Sequence, residues 1–221
     1  MRKGRKSDPI SRERERHPER IWMDNRLCYL TIEDGEYVLH DQFLSVARSP
    51  DVLLWFPMVA CVKPVPEGML VGKPTVPWFE LRRQLAKDTD FLFQFAQYPR
   101  KFEEFIAGMY HLDGWNDVIL TPRSCDYGRD VIATSYGSCS VRILDSVKAY
   151  SRGNLVRHTD VRDMFGVICA DPGASKGAIT TTTDFEPKIA VSPQLSPYIP
   201  YRLQLRNGAQ VLDWLKRLPS S

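Results

Sequence analysis

From residue 101 onward the apolar positions fall into regular patterns. In FEEFIAGMYHL, Phe102, Phe105, Ile106 and Met109 recur at helical spacing and define one face of an amphipathic helix. DVILT (117–121), DVIATS (130–135) and VRILDSVK (141–148) are short apolar runs of strand length. HTDVRDMFGVICA is helical again, with Val161, Phe165, Ile168 and Cys169 on one face and Thr159 or Asp160 placed to cap it. GAITTTT (177–183) and YRLQLR (201–206) predict two more strands, and GAQVLDWLKRL a closing amphipathic helix. The order α-β-β-β-α-β-(α)-β-α predicts an α/β fold, a mixed sheet with helices on both faces.

Before residue 96 the pattern is less regular. RLCYLTIEDGEYVLH alternates around Asp34-Gly35 as a β-hairpin does. The proline-punctuated stretch DVLLWFPMVACVKPVPEGMLVGKPTVP predicts short strands and loops, and PWFELRRQLAKDTDFLFQFAQYP a helix with Pro77 near its start. Together these predict a small α+β unit over 21–95, suited to packing, dimerisation or partner recognition. It has no catalytic spacing. Residues 1–20 contain only two strongly apolar positions and predict a disordered basic tail.

Charge is uneven. The formal net charge of the 221 residues is +3, but the first twenty alone carry +4. Such a tail either solubilises the chain or meets nucleic-acid phosphates. The 43% hydrophobic content and five tryptophans suit a packed globular protein. No apolar run approaches the ~18 residues of a membrane span, and the N-terminus lacks the apolar centre of a secretion signal. Five cysteines without a CxxC pair fit reduced thiols and a cytoplasmic setting. The four histidines are too scattered for a histidine-based metal centre.

The chemistry concentrates in CDYGRDVIATSYGSCSVRILDSVKAY (125–150). Asp130 opens one apolar strand and Lys148 closes the next. Unpaired charge beside an apolar interior is costly, so such groups hold a metal, a phosphate or each other. Ser146 and Lys148 share a strand face, and Asp145 takes the other. An odd-numbered loop between the strands sets Asp130 with Ser146 or Lys148; an even one sets it with Asp145. On the preceding helix, Glu103 flanks the apolar face and can reach over the sheet, whereas Glu104 points to solvent. Further on, four threonines (180–183) offer hydroxyls at a strand end. Thr183 and Asp184 could cap a following helix whose start, with Lys176, suits a phosphate.

The segment from Phe102 to Leu215 resembles the catalytic domain of Mrr-type restriction endonucleases, within the restriction-endonuclease-like PD-(D/E)xK nucleases. The similar stretches are FEEFIAGMYHLDGW, LTPRSCDYGRDVIA, VKAY, HTDVRDMFGVI, SKGAITTTTDF and LQLRNGAQVLDWL. The resemblance implies a restriction-endonuclease-like catalytic domain over 96–221, with DNA as partner and Mg²⁺ (or Mn²⁺) as cofactor. It places Asp130 on the family's metal-binding aspartate, Lys148 on its catalytic lysine and Glu103 on the helix glutamate near the site. Asp126 falls in the acidic-Gly loop before the metal aspartate. Lys176, Thr181, Thr183 and Asp126 are then candidate phosphate contacts. One position departs: Ser146 stands where the family carries Glu or Gln. The expected function is a metal-dependent DNA endonuclease acting in restriction or defence, as a homodimer if both strands are cut. The alternatives are an inactive nucleic-acid-binding module of the same fold, or a protein–protein adaptor.

Overall fold

The computed structural model describes residues 19–23, 26–33, 36–40, 50–124 and 127–219. The chain divides into two compact units, Met1–Arg48 and Ser49–Ser221. In the first, β1 (Glu19–Met23), β2 (Arg26–Glu33) and β3 (Glu36–His40) form an antiparallel sheet in that order. Pairing of Glu33 with Glu36 closes the expected hairpin. Most of the basic tail, residues 1–18, lies outside the described residues.

The second unit is built on one seven-stranded sheet of order β12-β10-β8-β7-β6-β5-β4. Its strands are β4 (Val59–Val65), β5 (Gly68–Pro74), β6 (Asp117–Leu120), β7 (Val131–Ser135), β8 (Val141–Lys148), β10 (Lys176–Thr181) and β12 (Leu203–Arg206). Neighbours from β4 to β8 are antiparallel, and β8, β10 and β12 run parallel. The division of the chain therefore differs from the boundary at residue 95 expected from sequence. Strands β4 and β5 extend the main sheet, with Met69 and Leu70 of β5 paired to Leu120 and Ile119 of β6. Pro64 and two register shifts along β4 break the period-2 signal that would have marked this hairpin as part of a sheet. Two short strands, β9 (Leu155–Val156) and β11 (Asp184–Phe185), pair separately.

Five α-helices among the described residues accompany the strands: α1 (Pro50–Leu53), α2 (Val76–Lys87), α3 (Pro99–Leu112), α4 (His158–Ala170) and α5 (Gly208–Arg217). Helix α3 starts on Pro99, whose fixed φ and missing N–H suit a first helical position. Its Phe102, Phe105, Ile106 and Met109 are all fully buried, as the spacing predicts. Helix α4 covers the opposite face of the sheet. It packs Val161, Met164 and Ile168 against Ile132, Leu144 and Ile179. Met164 belongs to this buried face, whereas Cys169, expected on it, is exposed. Asp160 accepts the Arg157 amide from inside the first turn, so α4 begins one residue before Thr159. The bracketed helix between the last two strands is a single 3₁₀ turn, Ser196–Tyr198. No helix among the described residues is long and apolar enough to cross a membrane.

One polar cluster sits in the α3 side of this core. Asp145 of β8 is fully buried. Its Oδ2 accepts from Tyr110 Oη of α3 at 2.8 Å, Thr180 Oγ1 of β10 at 2.8 Å and Arg206 Nη1 of β12 at 3.1 Å. The Arg206 guanidinium lies over the rings of Tyr110 and Trp214, 5.3 and 4.7 Å from their centroids. The other carboxylate oxygen, Oδ1, is buried without a hydrogen-bond partner among the described residues. Burial pushes the Asp145 carboxyl above the ordinary aspartate range, outweighing Arg206, Thr180 and Tyr110, which pull it down.

Two outcomes test this packing. A Cβ at Gly108 would lie 2.5 Å from Trp78 Nε1, and that ring is pinned by its bond to the Phe105 carbonyl. Helix propensity favours alanine by about 1 kcal/mol, but overpacking a pinned ring costs about 1–3 kcal/mol. Gly108→Ala is therefore expected to lower the urea midpoint, not raise it. Asp145→Ala removes the shared acceptor of three donors and is expected to cost about 3–5 kcal/mol. The pH slope gives a second readout. The native state holds the Asp145 proton more tightly than the unfolded chain, so this stability is full below the ordinary aspartate pKa. It is lost as pH rises toward the native value. Urea melts of Asp145→Asn should lack that decline.

Candidate active site

Strands β7 and β8 pair from Ser135↔Val141 to Val131↔Asp145, so residues 136–140 form an odd-numbered loop. The ladder ends at Val131 and Asp145, one residue short of Asp130, and its odd loop has the parity that puts Asp130 on the Ser146 side, the first of the two arrangements the sequence allows. Two bonds fix it there. The Asp130 amide donates to the Asp145 carbonyl at 2.8 Å, and Asp130 Oδ2 accepts from the Val147 amide at 2.7 Å. They bracket Ser146, which is buried. Lys148 ends β8 on the same face as Ser146, about 7 Å further along the strand. It is half-buried, and among the described residues its ammonium has no hydrogen-bond or ion-pair partner.

Glu103 comes to Asp130 from helix α3. Both line one cavity of about 460 Å³, together with Tyr98, Arg100, Lys101 and Arg123. Ser146 and Lys148 are not among the residues lining it. Glu103 Oε2 accepts from Arg100 Nη1 at 2.5 Å. Burial pushes the Glu103 carboxyl up, opposed by Arg100 and by the charge of Arg123. Glu104 is not the solvated residue expected. It pairs with Lys101 at 3.0 Å and accepts the Met58 amide at 2.9 Å, stapling α3 to the start of β4.

Thr121 joins the helix carboxylate to the strand carboxylate. Its hydroxyl reaches the carbonyls of Arg129 and Asp130 at 2.7 and 3.1 Å, and its amide donates to the Asp130 carbonyl at 3.1 Å. Its own carbonyl accepts from Arg100 at 2.9 Å. Arg129 is held in turn by Asp171 at 2.7 Å and Glu67 at 3.1 Å. Thr121, Arg100 and Arg123 were not singled out from the sequence. For Arg100 a signal existed: it stands three residues before Glu103, one turn away on the same helix face.

The expected phosphate contacts fare differently. Parallel pairing sets Lys148 beside Thr181 and Lys176 beside Ile143, so Lys176 lies at the opposite end of the sheet. There its ammonium bonds Gln204 at 3.3 Å, and burial together with Arg206 lowers its pKa. The threonine hydroxyls turn inward. Thr180 serves Asp145, and Thr182 exchanges bonds with the Tyr150 backbone at 2.7 Å. Thr181 is fully buried and lies 3.3 Å from the half-buried Thr183. Asp184 begins β11 and caps no helix. Asp126 lies outside the described residues.

A hydrated Mg²⁺ needs only one or two protein carboxylates. Asp130 and Glu103 on one cavity meet that minimum. No cluster of three or more His, Cys, Asp or Glu suited to a metal occurs among the described residues.

No curated protein matches the chain. Two solved structures are similar. One is MspJI restriction endonuclease in complex with a 27-mer oligonucleotide, at 18% identity and a TM-score of 0.36, covering 66% of this chain and 33% of that one. The other is AspBHI, a DNA modification-dependent restriction endonuclease, at 15% identity and a TM-score of 0.44, covering 90% and 55%. The chain thus spans about a third and about half of those two proteins. The restriction endonuclease family model Mrr_cat matches residues 96–214, more than half of the chain and the span from just before α3 into α5. The chain belongs to the Mrr_cat restriction endonuclease family.

Proposed function

We propose that this chain hydrolyses DNA phosphodiester bonds in restriction, using Mg²⁺ or Mn²⁺ held by Asp130 and Glu103. One observation carries the reading. Asp130 and Glu103, from separate elements, line one cavity, and Asp130 is bonded to β8 on both sides of Ser146. Family membership supplies the reaction class. A bound divalent ion would polarise the scissile phosphate and acidify water.

The chain's own residues do the rest. The two bonds to β8 fix the Asp130 carboxylate, so it does not reorganise when the substrate arrives. Glu103 adds a second carboxylate whose charge Arg100 balances while the cavity is free of DNA. Lys148, at the end of β8 and unpartnered among the described residues, would orient the attacking water and offset negative charge that builds on the phosphate oxygens. Ser146 carries a hydroxyl where the family pattern has a carboxylate or amide, so a bound ion would be held by Asp130 and Glu103 with water. Cutting both strands takes two such sites, which a homodimer supplies.

Ser146, standing where the family carries Glu or Gln, favours a second reading, a DNA-binding module that does not cut. Plasmid and linear duplex assays with Mg²⁺ and Mn²⁺ separate the two. Under the nuclease reading the wild type cuts in an ion-dependent way. Asp130→Ala and Lys148→Ala each lose about 10²–10³-fold in rate and still bind duplex. Salt-sensitive duplex binding with no cutting under either ion would select the silent module.

A further inference from the structure

Arg100 occupies an unusual position for a residue of a helix surface. Its guanidinium lies in the cavity, bonded at once to Glu103 and to the Thr121 carbonyl. Thr121 in turn holds the backbone of Asp130. Arg100 therefore links the Glu103 carboxylate, through Thr121, to the backbone of Asp130. The cavity's other cations are differently placed. Lys101 is committed to Glu104 by bonds of 3.0 and 3.1 Å, and Arg123 is exposed at the rim.

Two anions suit this guanidinium. Glu103 holds it in the DNA-free chain, but an i,i+3 helix pair contributes only a few tenths of a kcal/mol. A phosphodiester matches the planar fork at least as well and brings many more contacts with it. While Arg100 stays on Glu103, its positive charge also opposes any divalent cation approaching that carboxylate. We propose that Arg100 exchanges Glu103 for a DNA phosphate, so that DNA binding releases Glu103 to the cation. This rests on the nuclease reading of the cavity and adds a switch to it. By linkage, DNA must then tighten cation binding, and the cation must tighten DNA binding by the same factor.

Mn²⁺ titrations of the full chain, with and without a short duplex, test the exchange. A Lys148→Ala background suppresses cutting during the measurement. In that background the duplex should tighten Mn²⁺ binding about 5- to 150-fold. With Arg100→Gln added, Mn²⁺ should bind the DNA-free chain more tightly than in the parent, and the coupling factor should fall toward one. Duplex affinity should drop, with the log–log salt slope shallower by about one. Arg100→Lys keeps the charge and should retain part of the coupling. It carries the same comparison if the glutamine variant melts early. Coupling that survives Arg100→Gln, or weaker Mn²⁺ binding by that variant without DNA, overturns the exchange. If cleavage still depends on Asp130 in that case, the nuclease reading stands and only this inference falls. If Mn²⁺ binds neither the free nor the DNA-bound chain, both fall.

Discussion

The buried carboxylate of Asp145 sets the facing of β8. Three elements send a donor to its Oδ2: Tyr110 from α3, Thr180 from β10 and Arg206 from β12. Because side chains alternate along a strand, this commits Ser146 and Lys148 to the opposite face. A slip of β8 by one residue would bring Asp145 to the position of Ser146. It would also strip three buried donors of their acceptor and turn every apolar side chain of the strand the wrong way. Asp145, next to Ser146 in the sequence, is thus held in the core and does not reach the face that carries Ser146 and Lys148.

Much of this was legible from sequence, and the reason is periodicity. The buried face of α3 follows from the spacing of Phe102, Phe105, Ile106 and Met109. The odd loop at 136–140 was one of two stated options, and its parity puts Asp130 on the Ser146 side. Two kinds of information were not legible. The extension of the sheet by β4 and β5 is edge pairing across residues 69 and 120, which no local pattern encodes. The positions of Lys176 and Thr181 depend on a parallel register set by distant packing. A threonine-rich strand end looks hydroxyl-bearing in sequence, yet the hydroxyls of Thr180 and Thr182 are each consumed by a buried or backbone partner.

Net charge is a poor guide to this surface. The chain beyond its first twenty residues is close to neutral, whereas strong binders of a polyanion are usually basic. The structure sorts the cations into two groups. Arg129 and Arg142 are tied to Glu67 and Asp171, and Arg206 to Asp145. These positive charges are neutralised where they stand. Arg123 is exposed at the cavity, and Lys148 is unpartnered among the described residues at the same end of the sheet. The local field at that end of the sheet depends on such groups, and the overall sum hides them.

An ion with few protein ligands depends heavily on the ones it has. Here the two carboxylates sit on different elements, one at the start of β7 and one on α3, so their separation is a packing distance. Thr121 controls it from both sides. Its hydroxyl and amide hold the Asp130 backbone, and its carbonyl holds Arg100, which holds Glu103. The residue is almost fully buried, so water does not compete for these bonds. A catalytic constellation needs its groups held within about 0.5 Å of the productive geometry. At Thr121 one short side chain and its peptide groups tie helix to sheet. Through that tie the placing of Glu103 relative to Asp130 depends on a single buried residue of the sheet.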